Sequence, residues 1–91
     1  MQELTIKIRN NVGLHARPAA VFVQEAQKFS SNIMTKCGER EANAKSILGV
    51  LGLGVSKDME ITIIAEGQDE EQALASLKAL IENNFGEPVF P

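Results

Sequence analysis

The sequence predicts an α+β fold, a two-layer open-faced sandwich in which three helices cover one face of a four-stranded antiparallel sheet. Segments with an apolar residue at every second position alternate with segments of helical periodicity. A glycine turn in the middle of the chain joins two short strand-like segments, which indicates antiparallel pairing. Because the helices are few and apolar on one side, we expect the other sheet face to be solvated. With 91 residues, one domain (1–91) is expected, with a C-terminal tail from about residue 85.

The first strand and the first helix are marked by a change of period. Apolar residues alternate with polar ones in the first strand, and its inward side chains are Leu4, Ile6 and Ile8. A helix is predicted from about Ala16 to Gln27, where one apolar stripe consists of Ala19, Phe22, Val23 and Ala26. Pro18 fits a helix only in its first turn, so the helix begins close to His15 or Ala16. The opposite, polar face carries Arg17, Ala20, Gln24 and Lys28.

The middle of the chain predicts a hairpin followed by a short helix. Residues 32–37 and 41–44 form two short strands around a tight turn at residues 38–40. Ser46 then precedes an apolar segment and is placed as the N-cap of a helix that begins at Ile47.

The last two elements have the clearest patterns. Residues 60–65 (EITIIA) alternate as a strand does. Asp69 is predicted to cap the following helix, with Gln72 reaching back, and residues 83–86 to end it. One apolar stripe of this helix carries Leu74, Leu77 and Ile81, with Ala73 and Leu80 beside it. Phe85, Val89 and Phe90 could fold onto the core or extend an interface.

Composition excludes several classes of protein. The net charge is −3 with no basic block, and there are four Phe but no Trp or Tyr, so a nucleic-acid partner has no support. Cys37 is the only cysteine, which rules out an intramolecular disulfide and a cysteine zinc cluster. The first residues lack a signal peptide's apolar core, and no run approaches the length of a membrane span. We therefore expect a cytoplasmic protein without membrane insertion, metal or cofactor.

His15 is the only histidine and lies where the first helix is predicted to start. The first N–H groups of a helix lack intrahelical partners and the macrodipole makes this end positive, so an anion finds donors there. Arg17 adds a guanidinium that matches phosphate oxygens. The positive helix end and the nearby guanidinium both disfavour a protonated imidazole at His15. A neutral imidazole beside an anion site is suited to accept a phosphoryl group on nitrogen.

Two plainer interpretations of His15 remain open from the residues alone. The histidine could cap the helix, or it could be exposed without any role. A hydrolytic triad is disfavoured because the chain has no second histidine. Metal binding by one histidine without a cysteine pair is equally weak.

Two segments resemble one known family. "GLHARPAA" (residues 13–20) resembles the phosphorylation site of HPr, the histidine-containing phosphocarrier family of the bacterial phosphoenolpyruvate:sugar phosphotransferase system. "NAKSILGVLGLGVSKDMEITIIAEGQDEEQAL" (residues 43–74) resembles the second half of the same family. The resemblance extends to about residue 84, and the two segments together make it highly specific.

The resemblance implies a role for each matching residue. His15 would accept phosphate from phospho-enzyme I, on the ring nitrogen nearer the backbone, and pass it to enzyme II A domains. The backbone N–H groups of Ala16 and Arg17 would bind the phosphate, together with the Arg17 side chain. The protein would then be a carrier rather than an enzyme, and a monomer is the simpler expectation.

Ser46 has two interpretations. As an N-cap it needs no further role. The family has a regulatory serine at this place, which an ATP-dependent HPr kinase/phosphorylase modifies in some bacteria, and a transcriptional regulator is then a further possible partner. The resemblance also places Ile47, Leu48 and Leu51 beside His15 as a docking surface, together with Ala20 and Gln24 of the first helix.

Three rival functions remain open. One is a regulatory module that acts by binding partner proteins through its His15 or Ser46 state. Another is a member of the related branch of the family that serves nitrogen-linked regulation. The weakest is a small ligand-binding domain of the ACT or ferredoxin-like type, for which the pattern offers no concave pocket.

Overall fold

The computed structural model describes residues 1–86. Along the chain it has four strands, three α-helices and a short 3-10 turn within that range. Their bounds are β1 Gln2–Lys7, α1 Ala16–Ala26, β2 Asn32–Cys37, β3 Arg40–Asn43, α2 Ile47–Gly52, β4 Glu60–Glu66, α3 Glu70–Glu82 and the 3-10 turn Asn84–Gly86. The predicted order of elements is confirmed.

The strands form one four-stranded sheet in the order β1-β4-β2-β3, and every neighbouring pair is antiparallel. The register aligns one residue of each strand across the sheet. Leu4 lies opposite Ile63, Ile63 opposite Thr35, and Thr35 opposite Ala42. This row faces the helices, since side chains alternate between the two faces of a strand.

The next row faces the other way and consists of Thr5, Thr62, Lys36 and Glu41. The hydroxyl groups of Thr5 and Thr62 lie 2.9 Å apart across β1 and β4 and share a hydrogen bond. The predicted α+β class, with helices on one face and a polar second face, is therefore confirmed.

The core is the apolar layer between the sheet and the helices. The stripe predicted for α1 is buried, as are Leu74, Leu77 and Ile81 of α3. Phe22 is the largest fully buried side chain. Burial of these stripes fixes how α1 is rotated about its axis, so Arg17, Gln24 and Lys28 of the predicted polar face stay exposed, while Ala20 is half-buried.

The hairpin turn is one residue shorter than the sequence indicated. Cys37 pairs directly with Arg40, so the turn contains only Gly38 and Glu39, and β3 begins at Arg40 rather than at residue 41. Gly38 has a φ of +62°, a conformation that two-residue hairpin loops require and that glycine adopts at little cost.

The N-cap residue of α3 is predicted correctly, but its predicted hydrogen bonds are wrong. Asp69 occupies the N-cap position, but its side chain makes no bond to the helix. Its carboxylate instead accepts bonds from the backbone N–H and hydroxyl groups of Ser30 and Ser31, which precede β2. Glu70, not Gln72, reaches back, and accepts from the N–H of Gly67 at 3.1 Å. Donors from the segment before β2 therefore bind the Asp69 carboxylate in place of the N–H groups of its own helix.

Phe85 belongs to the core rather than to the tail, because its side chain is only 5% exposed. The expectations for Val89 and Phe90 fall outside the described residues. Within residues 1–86, no helix is both long and apolar enough to span a membrane.

Candidate functional site

His15 is the N-cap residue of α1, as the position of Pro18 predicted. Its backbone is extended (φ −77°, ψ −176°), and its carbonyl oxygen accepts the first intrahelical bond from the N–H of Ala19 at 2.8 Å. The imidazole makes no capping bond and is exposed. His15 therefore caps the helix only through its backbone, and the imidazole is available to a reaction partner.

Two backbone donors lie directly after the imidazole. Within residues 1–86, the N–H groups of Ala16 and Arg17 have no hydrogen-bond acceptor. Pro18, the next residue, has no N–H at all. Because Ala16 is exposed, both groups at this positive helix end can donate to an anion held beside the ring.

Arg17 supplies the cation of the site. Its side chain is exposed, and in the described part of the chain it forms no ion pair. A guanidinium without a competing carboxylate remains free to bind a dianion two residues from the imidazole. The predicted pair of His15 and Arg17 therefore shares one end of α1.

The loop before His15 is held in place by the segment that follows α2. The N–H of Leu14 donates to the carbonyl oxygen of Val55 at 3.0 Å. Gly13 has a φ of +62°, and a Cβ at this position would lie 2.3 Å from the same oxygen and 2.8 Å from the Cα of Ser56. The side chain of Asn10 closes the loop by donating to the Gly13 carbonyl at 2.8 Å.

These contacts form a shallow depression beside the imidazole, of about 240 Å³. It is lined by Leu14, His15, Ala16, Leu51, Gly54, Val55 and Ser56. The contribution of residues 54–56 was missed at the sequence level because they lie some 40 positions away. Gly13 is the one local signal in the sequence, because a Cβ there would overlap Val55 and Ser56.

The five residues expected to dock partners divide by exposure. Leu48 is 80% exposed and Ile47 37%, both high for large apolar side chains, whereas Leu51 is half-buried and lines the depression with His15. On α1, Gln24 is exposed and Ala20 is half-buried. Because α1 and α2 pack against each other, the apolar residues of α2 and the imidazole belong to adjoining surfaces.

Ser46 is the N-cap of α2, as predicted. Its Oγ accepts the N–H of Gly49 at 3.2 Å, and its carbonyl oxygen accepts the N–H of Val50 at 3.0 Å. The side chain is half-buried, at the edge of a second depression that also includes Leu48. A capping role is thus present in the geometry, and it does not exclude a second role.

The lysine before Ser46 is tied to α1. Lys45 donates from Nζ to the carbonyl oxygen of Phe29 at 2.6 Å and accepts at its own carbonyl from the Gln27 side chain at 3.1 Å. These two bonds join the end of α1 to the start of α2.

The chain matches the family model described as "PTS HPr component phosphorylation site" over residues 2–83. It is 44% identical over 82 residues to HPr-like protein Crh of Bacillus subtilis, which covers 90% of this chain and 96% of Crh. It is 45% identical over 78 residues to phosphocarrier protein HPr of Mycoplasma capricolum, covering 86% and 88% of the two chains.

Solved structures agree in fold. HPr-C-His from Thermoanaerobacter tengcongensis superposes with a TM-score of 0.94 at 53% identity, over 98% of this chain and all of the other. An HPr dimer from the same organism (TM-score 0.77, 54% identity, 96% and 100% covered) and a domain-swapped dimer of B. subtilis Crh, a catabolite repression protein (0.73, 43%, 92% and 97%), also match. With two dimers among these structures, the expectation of a monomer has no support.

The match to the family model includes the histidine segment, and the relatives are aligned over most of their own length. Together with the shared fold, these matches make the assignment independent of any single motif. The chain belongs to the HPr family of phosphocarriers of the phosphotransferase system.

Proposed function

We propose that His15 is the residue that carries the phosphoryl group, accepting it from phospho-enzyme I and passing it to enzyme II A domains. The observation that carries this proposal is the exposed imidazole at the N-cap of α1, followed by two N–H groups without acceptors in the described residues. A phosphoryl group on the ring nitrogen nearer the backbone would lie next to these donors.

The transfer needs little machinery beyond position and charge. A ring nitrogen of His15 attacks phosphorus in line with the bond to the donor; the N–P bond forms as the donor bond breaks. The N–H groups of Ala16 and Arg17 and the guanidinium stabilise the charge on the phosphoryl oxygens. When a nucleophile of an enzyme II A domain then attacks the phosphorus, the N–P bond of His15 breaks and the phosphoryl group leaves. His15 is thus regenerated and acts as a carrier of the group.

The docking surface consists of Ile47, Leu48, Leu51, Ala20 and Gln24. Its support is the 80% exposure of Leu48 on α2, the short helix that packs on α1. A carrier must release each partner, so the interfaces should be small, toward the low end near about 1,200 Å². Sugar uptake and a cytoplasmic location follow as part of the same proposal, since enzyme I and the enzyme II A domains act there.

Ser46 is proposed as a regulatory phosphosite, for which an HPr kinase/phosphorylase and a transcriptional regulator are the candidate partners. A phosphate on the Ser46 hydroxyl would be placed at a helix start, where negative charge is tolerated. It would also lie next to Leu48 at the edge of the docking surface. We expect it to block docking by charge and not by refolding the chain.

A second candidate function is a regulatory module that acts mainly by binding partners. The 44% identity to a relative named HPr-like protein, and not phosphocarrier, favours it. The two functions differ in what His15 is for: the carrier needs its nucleophile, whereas the module needs only its surface.

The test is phosphorylation by phosphoenolpyruvate and enzyme I. We expect one acid-labile, base-stable phosphate per chain, located on His15. His15→Ala should abolish labelling, and Arg17→Ala should slow it, whereas Lys28→Ala, which removes a cation at the other end of α1, should leave the rate unchanged. Labelling that persists in His15→Ala would refute the carrier proposal, and unchanged binding of partners by this variant would favour the regulatory module.

A further inference from the structure

Met59 makes an unusual contact just outside the candidate site. The backbone N–H of Ser56 donates to Sδ of Met59 at 3.1 Å, although a thioether is a weak acceptor. The Met59 side chain is 39% exposed. The residue is therefore open to solvent, and one of the two lone pairs of its sulfur is directed at a backbone amide.

The contact is one half of a reciprocal pair. The N–H of Met59 donates to the carbonyl oxygen of Ser56 at 3.1 Å, which closes a four-residue turn. Asp58, within the turn, has a φ of +71°, in the left-handed region that non-glycine residues rarely adopt. The turn is also bound to the end of β1: the N–H of Asp58 donates to the carbonyl oxygen of Ile8 at 2.6 Å, and the N–H of Ile8 donates to the carbonyl oxygen of Met59 at 2.9 Å. The position of Ser56 thus depends on Met59 on both sides.

Ser56 and Val55 are the surface on which the loop before His15 rests. The N–H of Leu14 bonds the Val55 carbonyl, and the backbone of Gly13 lies so close to Ser56 that a Cβ there would be 2.8 Å from its Cα. Ser56 also lines the depression beside the imidazole. A displacement of Ser56 would therefore be transmitted to the donors around His15.

We propose that Met59 is a site of reversible oxidation by peroxides, and that its sulfoxide slows phosphoryl acceptance at His15; the second clause rests on the proposed function. The sulfur is oxidised by two electrons and gains one oxygen atom from the peroxide, which is reduced to water or an alcohol. Methionine sulfoxide reductases return the thioether, so the modification is reversible.

The geometry determines which sulfoxide forms. Oxygen adds to a lone pair of sulfur, and the lone pair that faces the Ser56 amide is blocked because an oxygen atom between two atoms 3.1 Å apart would overlap the amide. Addition at the outward lone pair gives one epimer. The new oxygen then points away from Ser56, and the sulfur loses most of its strength as an acceptor.

The experiment treats the full chain with hydrogen peroxide and maps the sulfoxides by peptide mass spectrometry. Each is assigned to an epimer by its reduction with methionine-S-sulfoxide reductase or methionine-R-sulfoxide reductase. Met1, which is 78% exposed, provides the reference within the same molecule. We expect Met1 to give both epimers in similar amounts and Met59 to give roughly tenfold more of one.

The second measurement is the initial rate of His15 phosphorylation by enzyme I. We expect oxidation to slow it roughly threefold to tenfold, because small displacements of positioned groups lower transfer rates. The reductase that acts on the Met59 epimer should restore the rate. Peroxide-treated Met59→Leu, which keeps the side-chain volume but has no sulfur, should not slow further.

Each outcome decides one statement. Equal epimers at Met59 would refute the directed lone pair, and a single epimer with an unchanged rate would refute the coupling to His15. Absence of sulfoxide at Met59 would refute Met59 as an oxidation site, and this readout is independent of His15. If untreated protein is never phosphorylated by enzyme I, the proposed function fails, while the sulfoxide map still decides whether Met59 is an oxidation site.

Discussion

The backbone of Gly13 lies against the carbonyl oxygen of Val55 so closely that a Cβ atom on Gly13 would come within 2.3 Å of it. The same carbonyl accepts the N–H of Leu14 at 3.0 Å. The residue two positions before the imidazole is thus constrained by a segment some 40 positions later. The geometry of the site is a tertiary property even though its reactive residues are neighbours in the chain.

Gly13→Ala tests this contact. The substitution adds the cost of a φ of +62° to a backbone overlap, so we expect a loss of about 2–4 kcal/mol in the free energy of unfolding. We also expect slower phosphorylation of His15. Urea denaturation and the enzyme I assay measure the two effects.

Gly38→Ala is the matched control for this prediction. Gly38 has the same φ of +62°, but nothing lies within 4 Å of the added Cβ. Its cost should be about 1 kcal/mol, without a change in phosphorylation rate. Equal losses in the two variants would mean that the contact with Val55 contributes nothing.

Leu48→Asp tests the docking surface. Because Leu48 is 80% exposed, we expect the free energy of unfolding to stay within about 0.5 kcal/mol of the parent. An apolar contact at the centre of an interface should be lost, so KM for the carrier in the enzyme I reaction should rise roughly tenfold or more. Ala75→Asp places the same charge on an exposed position of α3 and should leave KM unchanged. Similar effects in both variants would point to net charge instead of docking.

Ser46 variants separate capping from regulation. Ser46→Ala removes the acceptor of the Gly49 N–H and should cost about 1 kcal/mol, with little effect on transfer. Ser46→Asp can still cap α2 but adds a negative charge, so thermal stability should be near that of the parent while transfer to enzyme I slows. If Ser46→Ala slowed transfer as much as Ser46→Asp, the serine would act by positioning α2 and not through charge.

Asp69→Asn tests the bonds that replaced the predicted helix cap. The hydroxyl of Ser31, followed by the backbone N–H of Ser30, lowers the pKa of Asp69 from 3.8 to about 2. Because the folded state holds the proton less tightly, the stabilisation is complete above about pH 4 and is lost as the pH falls toward 2. The Tm of the parent should exceed that of Asp69→Asn at pH 6, and the difference should shrink between pH 4 and 2.

Glu82→Gln is the control for this pH series. Glu82 is also in α3 and is exposed, and no hydrogen bond to its side chain occurs within residues 1–86. Its Tm should follow that of the parent across the same range. A constant difference between the parent and Asp69→Asn down to pH 2 would contradict the assignment of the low pKa to Asp69.

Thr35→Val should stabilise the protein. Thr35 is fully buried between Ile63 and Ala42 in the inward row of the sheet, and its Oγ1 has no hydrogen-bond partner within the described chain. Replacing an unsatisfied hydroxyl by a methyl group of similar shape should raise the free energy of unfolding by about 1 kcal/mol in a urea titration.

Thr62→Val provides the comparison on the open face of the sheet. The hydroxyl of Thr62 bonds that of Thr5, so its removal should be neutral or slightly destabilising. Stabilisation by both substitutions to the same extent would indicate a gain in strand propensity and not relief of a buried polar group.

The sequence by itself determined the α+β class, the order of elements and the start of α1. These properties depend on local periodicity and on Pro18, which is compatible with a helix only in the first turn. The predicted start of α1 also places His15 and Arg17 at one helix end, because the two residues are only two positions apart in the sequence.

The tertiary structure decided what the local pattern left open. Asp69 offered a cap to its own helix, but four donors from Ser30 and Ser31 engage its carboxylate instead. Val55 and Ser56 support the loop before His15, and they belong to the segment that follows α2. Hydrogen-bond donors and close contacts between distant segments exist only after the chain has folded, and no periodicity encodes them.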